Sequence, residues 1–212
     1  MANNGPNFSS AMLSQICRRS VPAKLALACG ETSAGNRCHL TTTTHHSCME
    51  YTFTLKYQLI DNDRDPDALV ERLGEVGCDD ALVGIGLPGR LALEFTRDAT
   101  DAGVAVSSAL ADVQRAMPLA RLIEVAPDWV GLTDVADIID VSRQNMRKLM
   151  LAHPESFPAP VHEGSASIWH LADVLAWLQA KGGYALTQDV LDVARAAWRV
   201  NMTKEGQRVP RG

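Results

Sequence analysis

Apolar and polar positions alternate from residue 51 onward. Tyr51, Phe53, Leu55, Tyr57 and Leu59 fall on one side of an extended segment, and Thr52, Thr54, Lys56 and Gln58 on the other. A period of two is that of a half-buried strand, here over 51–60. The period then lengthens. Asp65 stands where a helix wants its cap and Pro66 in the first turn, and Leu69, Leu73 and Val76 make one buried stripe before Gly77 ends the helix. Residues 81–85 and 91–96 read as two more strands joined by Leu87-Pro88-Gly89-Arg90, with Pro and Gly in the two central turn places. Asp101 opens a longer helix with Val104, Ala109, Leu110, Val113 and Met117 on its apolar face, and 120–125 is a fourth strand. The order βαββαβ predicts a ferredoxin-like domain over 50–128, with four antiparallel strands and two helices on one face.

Beyond a joint at 127–130 the pattern becomes helical. Thr133 reads as a hydroxyl cap, with Val135, Ala136 and Ile139 as the inner face of a short helix. Asp140 and Val141 make a tight corner, and Ser142 caps a second helix with Met146, Leu149 and Met150 inside. Small Ala136 and apolar Val141 suit the crossing of a helix-turn-helix. The second helix carries Arg143, Gln144, Arg147 and Lys148 outward, side chains that match base edges and phosphates in a major groove. Pro154 then stops regular structure, and Phe157-Pro158-Ala159-Pro160 is extended because prolines exclude helix and bias their predecessors. Val161-His162 and Ser167-Ile168-Trp169 read as arms of a short hairpin turning at 163–165. Leu171, Val174, Leu175 and Leu178 mark another helix ended by Gly182-Gly183. A last helix over 187–202 carries Val190, Leu191, Ala194, Trp198 and Met202. That stripe either pairs with a twin helix or docks on its own chain, and the tail after Lys204 is expected to be mobile.

On LTDVADIIDVSRQNMRKLM, then FPAP, then Trp169 followed by ADVLAWL, residues 131–177 resemble the excisionase and AlpA-like branch of the MerR-type winged helix-turn-helix proteins. The three blocks stand in the right order but cover less than a quarter of the chain. Asp140 departs from the family, which has Gly at the corner, although Asp tolerates a left-handed conformation better than most residues. The resemblance implies binding of double-stranded DNA, a small wing against the DNA backbone, Trp169 as a core anchor, and dimerisation through a helix after the reading module. The residues assigned to DNA are Thr133, Ser142, Arg143, Gln144, Arg147 and Lys148, with His162, Ser165 and Ser167 donating to phosphates from the wing. Glu163 at the wing tip opposes that contact.

At 212 residues and 46% hydrophobic the chain has ample material for a core, and no run approaches a membrane span. The net charge of −5 argues against non-specific nucleic-acid binding, but its distribution matters more. Residues 50–130 carry 7 basic and 15 acidic side chains, whereas 131–212 carry 9 of each. The acidity belongs to the partner domain. Cys17, Cys29, Cys38 and Cys48 lie in the first 49 residues and only Cys78 beyond, which reads as a reduced, cytoplasmic body without a disulfide framework. Residues 1–49 show no sustained period and read as a disordered extension, translated from upstream of a natural start at Met49. Cys38, His39, His45, His46 and Cys48 lack the paired spacing of zinc ligands.

Three other motifs fail on physical grounds. Gly84-Ile85-Gly86-Leu87-Pro88-Gly89 has the spelling of a dinucleotide loop but leads into a strand, where the pyrophosphate needs a helix N-terminus. The acidic run 61–67 begins like a calcium loop, yet Pro66 replaces the sharp-turn glycine and Arg72 the bidentate glutamate. Cys78-Asp79-Asp80 sets a thiol beside carboxylates that raise its pKa rather than activate it.

The fold class read from the residues is α+β: a ferredoxin-like βαββαβ domain, a helical winged helix-turn-helix domain over 129–182, and a C-terminal helix and tail over 183–212. The function read is a sequence-specific, homodimeric DNA-binding regulator, not an enzyme, with no cofactor and no metal. The alternatives are an antitoxin-like or defence-system accessory protein whose ferredoxin-like domain holds a protein partner, and an excisionase-like architectural factor. A small ligand on that domain would instead make it a sensor.

Overall fold

The computed structural model describes residues 48–60 and 65–208. The N-terminal extension with its cysteines and histidines up to residue 47, and residues 61–64 of the acidic run, lie outside the described residues. Strand β1 (Met49–Gln58) starts at Met49 and alternates buried and exposed as its period requires. Helix α1 (Pro66–Glu75) is capped by Asp65, whose carboxylate accepts from the Asp67 and Ala68 amides. Strands β2 (Ala81–Ile85) and β3 (Arg90–Ala99) form a hairpin closed by a bond from the Arg90 amide to the Leu87 carbonyl. Gly89 takes φ +75° there, which the turn demands and Gly supplies without strain. A strand follows Gly89, as the hairpin reading of the glycine motif expected.

Helix α2 (Ala102–Ala116) begins at its Asp101 cap, and β4 (Arg121–Ala126) closes a four-stranded antiparallel sheet of order β2-β3-β1-β4. Tyr51, Phe53, Leu55 and Tyr57 of β1 and Leu91, Leu93 and Phe95 of β3 bury one face against helices. The stripe of α2 follows the expected line at Ala109, Val113 and Met117, with Leu110 half-buried beside it, and departs from it only in the first turn. Val104 is exposed, and Ala105, Val106, Ala109 and Val113 face the sheet. Small residues there let the helix axis approach closely, and Val104 sits beyond the edge of that face.

The second core is helical. A two-residue pairing of β5 (Trp129–Val130) with β6 (Trp169–His170) ties the start of this part to its middle. Around it lie α3 (Leu132–Ile138), α4 (Arg143–Ala152) and α5 (Leu171–Lys181), packed on Val130, Val135, Met146, Phe157, Trp169 and Leu175. The expected hairpin is smaller than its spelling suggested. His162 bridges Ile168, and Trp169 leaves that pairing to join Val130.

Helix α6 (Gln188–Arg208) is longer than expected, about 31 Å at 1.5 Å per residue, and stays helical past Lys204 instead of ending in a tail there. It does not stand apart as a terminal segment. Leu191 and Ala194 complete the helical core, while Val193, Ala196 and Ala197 enter the core under the sheet. Of the two destinations left open for this stripe, its own chain takes most of it, leaving Trp198 and Met202 partly exposed. The architecture is mixed α+β: one four-stranded antiparallel sheet and six helices among the described residues. None of those helices is long and apolar enough to cross a membrane.

Candidate nucleic-acid interface

The corner between α3 and α4 is built by backbone geometry. Asp140 has φ +53°, the left-handed conformation expected of it. The Val141 amide returns to the Ala136 carbonyl at 2.9 Å, and the Asp140 amide to that of Asp137 at 3.4 Å. This pair of bonds satisfies the last carbonyls of α3 in a Schellman arrangement, with Val141 half-buried against the core. The start of α3 differs from the sequence reading. Thr133 is not its cap. Gly131 occupies that place, and the Asp134 carboxylate reaches back to accept from the Gly131 amide at 2.8 Å. Thr133 lies exposed in the first turn instead. A carboxylate three residues into a helix bonds the cap amide whatever side chain the cap carries.

Ser142 does cap α4, its hydroxyl accepting from the Asn145 amide at 3.2 Å. One turn in, Met146 is fully buried. Arg143, Gln144, Arg147 and Lys148 are all exposed on the opposite side, and among the described residues no ion pair engages the three cations. Asp137 and Asp140 are exposed near the same corner.

The hairpin brings His162, Ser165 and Ser167 onto one loop. His162 and Ser165 are exposed and Ser167 is half-buried. The His162 ring lies over Gly164, so that a Cβ there would come within 2.8 Å of Nε2 and the exposed ring would have to turn aside. Trp169 anchors the loop from inside, buried, donating from Nε1 to the Pro158 carbonyl at 3.0 Å and meeting Phe157 edge-on. Trp177 packs on Phe157 from the other side, with Lys181 over its outer face.

Sequence reasoning missed the polar network behind this module. Asp128, His170 and Asn201 are buried together. His170 Nδ1 lies 2.7 Å from Asp128 Oδ1, and Asn201 donates to Asp128 Oδ2 at 2.8 Å. The Asn201 amide also takes both the N–H and C=O of Val125 on the outer edge of β4. A further turn along α6, Lys204 donates to the Ile123 carbonyl and lies over the Trp129 ring. Side chains of one helix thus cap the open edge of β4 and fasten the sheet to the helical part. Nothing in the linear pattern marks these residues, which come together from positions 123 to 204.

The cluster with enzyme-like spelling is tied up internally. Arg97 makes a bidentate pair with Asp80 at 2.6 and 3.0 Å and also reaches Asp112 and Ser108. Those hydrogen bonds, Asp80's first, hold the guanidinium above its ordinary pKa. The Cys78 thiol is pushed up to about 11, by burial first and by the Asp112 charge second, so the neighbouring Asp80 counts for less than its sequence proximity suggests.

Comparison with protein-family models, with curated proteins and with solved structures gives no match to this chain.

Proposed function

We propose that the chain is a sequence-specific double-stranded DNA-binding regulator, with α3 and α4 as a helix-turn-helix, the loop at 162–168 as its small wing, and α4 as the reading element. The observation that carries this reading is the split of α4. Met146 has no exposed surface, while Arg143, Gln144, Arg147 and Lys148 stand in solvent, the three cations without carboxylate partners among the described residues. A helix that needed its cations for stability would pair them within the fold, and an outward Arg–Gln pair in the first turn matches guanine and adenine edges. The strand order β2-β3-β1-β4 supports reading the sheet with α1 and α2 as a ferredoxin-like domain. Function as a homodimer in the cytoplasm is part of the proposal, since one small reading module seldom supplies enough affinity and two supply half-sites ~34 Å apart.

The test is selection of bound duplexes from a random pool, followed by affinities of variants on selected and scrambled DNA at several salt concentrations. Arg143→Ala or Gln144→Ala is expected to cost roughly 1–3 kcal/mol on the selected site and relax its preference. Lys148→Ala is expected to weaken all duplexes alike and lower the salt slope by about one. Folded Arg143→Ala and Gln144→Ala proteins that keep both affinity and preference would sink the proposal and leave a protein-binding role for α4.

A further inference from the structure

A second cluster of cations lies at the other end of the sheet. Gln58 of β1 stands opposite Arg90 of β3 and opposite Arg121 of β4, so the three side chains form one row across neighbouring strands. Directly opposed residues project to the same side, here the side away from the buried Tyr57 and Leu91, and the two arginine Cα atoms are about 10 Å apart, two strand spacings. Arg208, at the end of α6, joins them around a cavity of about 230 Å³ that Leu122 and Ile123 complete. Arg208 shares its charge with Glu205 at 3.1 Å. Among the described residues no carboxylate pairs with Arg90 or Arg121.

Three guanidinium groups around one small cavity repel one another, and among the described residues Glu205, on Arg208, is the one carboxylate that offsets them. An anion in the cavity would remove that repulsion. Guanidinium forks match the planar spacing of oxyanion oxygens, and several converging forks favour a group with three oxygens and two charges over a single carboxylate. The volume is below the ~300 Å³ at which drug-sized pockets begin, which limits the guest to a small molecule.

We propose that Arg90, Arg121 and Arg208 form a binding site for a phosphate group, free or carried by a small phosphate ester. It is a site separate from α4. Ala194 still belongs to the helical core, and Arg208 lies 14 residues further along α6, about 21 Å by helical rise. The site does not rest on the DNA reading, and either can fail alone.

The experiment titrates the full chain with inorganic phosphate, pyrophosphate and glycerol phosphate at constant ionic strength, following heat of binding and Tm. The expected result is a saturable heat and a Tm that climbs with the logarithm of ligand concentration. Arg90→Gln and Arg121→Gln should each weaken binding at least tenfold, Arg121→Lys should retain part of it, and Arg115→Gln, which removes an equal charge elsewhere, should leave it intact. A preference for glycerol phosphate over inorganic phosphate would place the ester in the cavity, and the reverse the free ion. Three results would overturn the proposal: no response beyond that to chloride, equal weakening in Arg115→Gln, or silence toward all three ligands with a loss of duplex affinity in Arg90→Gln and Arg121→Gln. The last would make the row a DNA contact.

Discussion

Asn201 has no exposed surface, and every polar atom of its amide is used, on the Val125 amide, the Val125 carbonyl and the Asp128 carboxylate. Replacing it with leucine keeps the volume but leaves a strand-edge amide and a buried carboxylate short of a partner. An unmet buried polar group costs about 1–3 kcal/mol, and more when charged. Asn201→Leu is therefore expected to lower unfolding free energy by at least about 3 kcal/mol in a urea titration, and a loss below about 1 kcal/mol would show that water or Lys204 replaces the amide. Asn201 could not be singled out from the sequence. A polar side chain in a long helix is most often solvated, and its apolar neighbours at Trp198 and Met202 pointed to the wrong face. Arg97 could be grouped with Asp80 from the sequence, but its second carboxylate, Asp112 on α2, could not.

At the scale of elements, caps and turns were the most legible features, since their chemistry is local. Asp65, Asp101 and Ser142 cap the helices they were expected to cap, and Pro88-Gly89 turns the hairpin. Thr133 was misread because Gly131 with Asp134 does the same work two residues earlier. The α3–α4 corner offers a sharp test. Left-handed φ costs an L-residue roughly 1–2 kcal/mol, least for Asp and Asn and nothing for Gly. Asp140→Gly is expected to be neutral or stabilising by up to ~1 kcal/mol, and Asp140→Val to destabilise by about 1–2 kcal/mol relative to the parent, both by thermal unfolding. Equal effects from the two would mean that the corner is not strained.

Across the whole molecule, α6 makes the two cores depend on one another. Leu191 and Ala194 fill one, Val193, Ala196 and Ala197 the other, and the Asp128–His170–Asn201 network lies between them. Losing either core strips α6 of half its buried face, so residues 48–208 are expected to unfold in a single step. All four tryptophans, Trp129, Trp169, Trp177 and Trp198, lie in the C-terminal part, so their fluorescence follows that part, while far-ultraviolet circular dichroism follows every element. The two probes should give coincident urea transitions. Separate midpoints would mean that the sheet and the helical part fold independently and that α6 is only an external strap.

The order of the elements, the inner faces of β1, α1, α3 and α4, and the side chains exposed on α4 are legible along the chain. Each of these follows from a period, a cap or a turn read within a few residues. Tertiary structure decided the length and destination of α6, the capping of the β4 edge by Asn201 and Lys204, and the Arg90–Gln58–Arg121 row. Those features depend on which residues meet across strands and helices far apart in the chain. A pattern of 3.6 or 2 records that a side is buried, but not against what, so a stripe such as Leu191, Ala194 and Trp198 fits a twin helix and the chain's own core equally well until the packing is known.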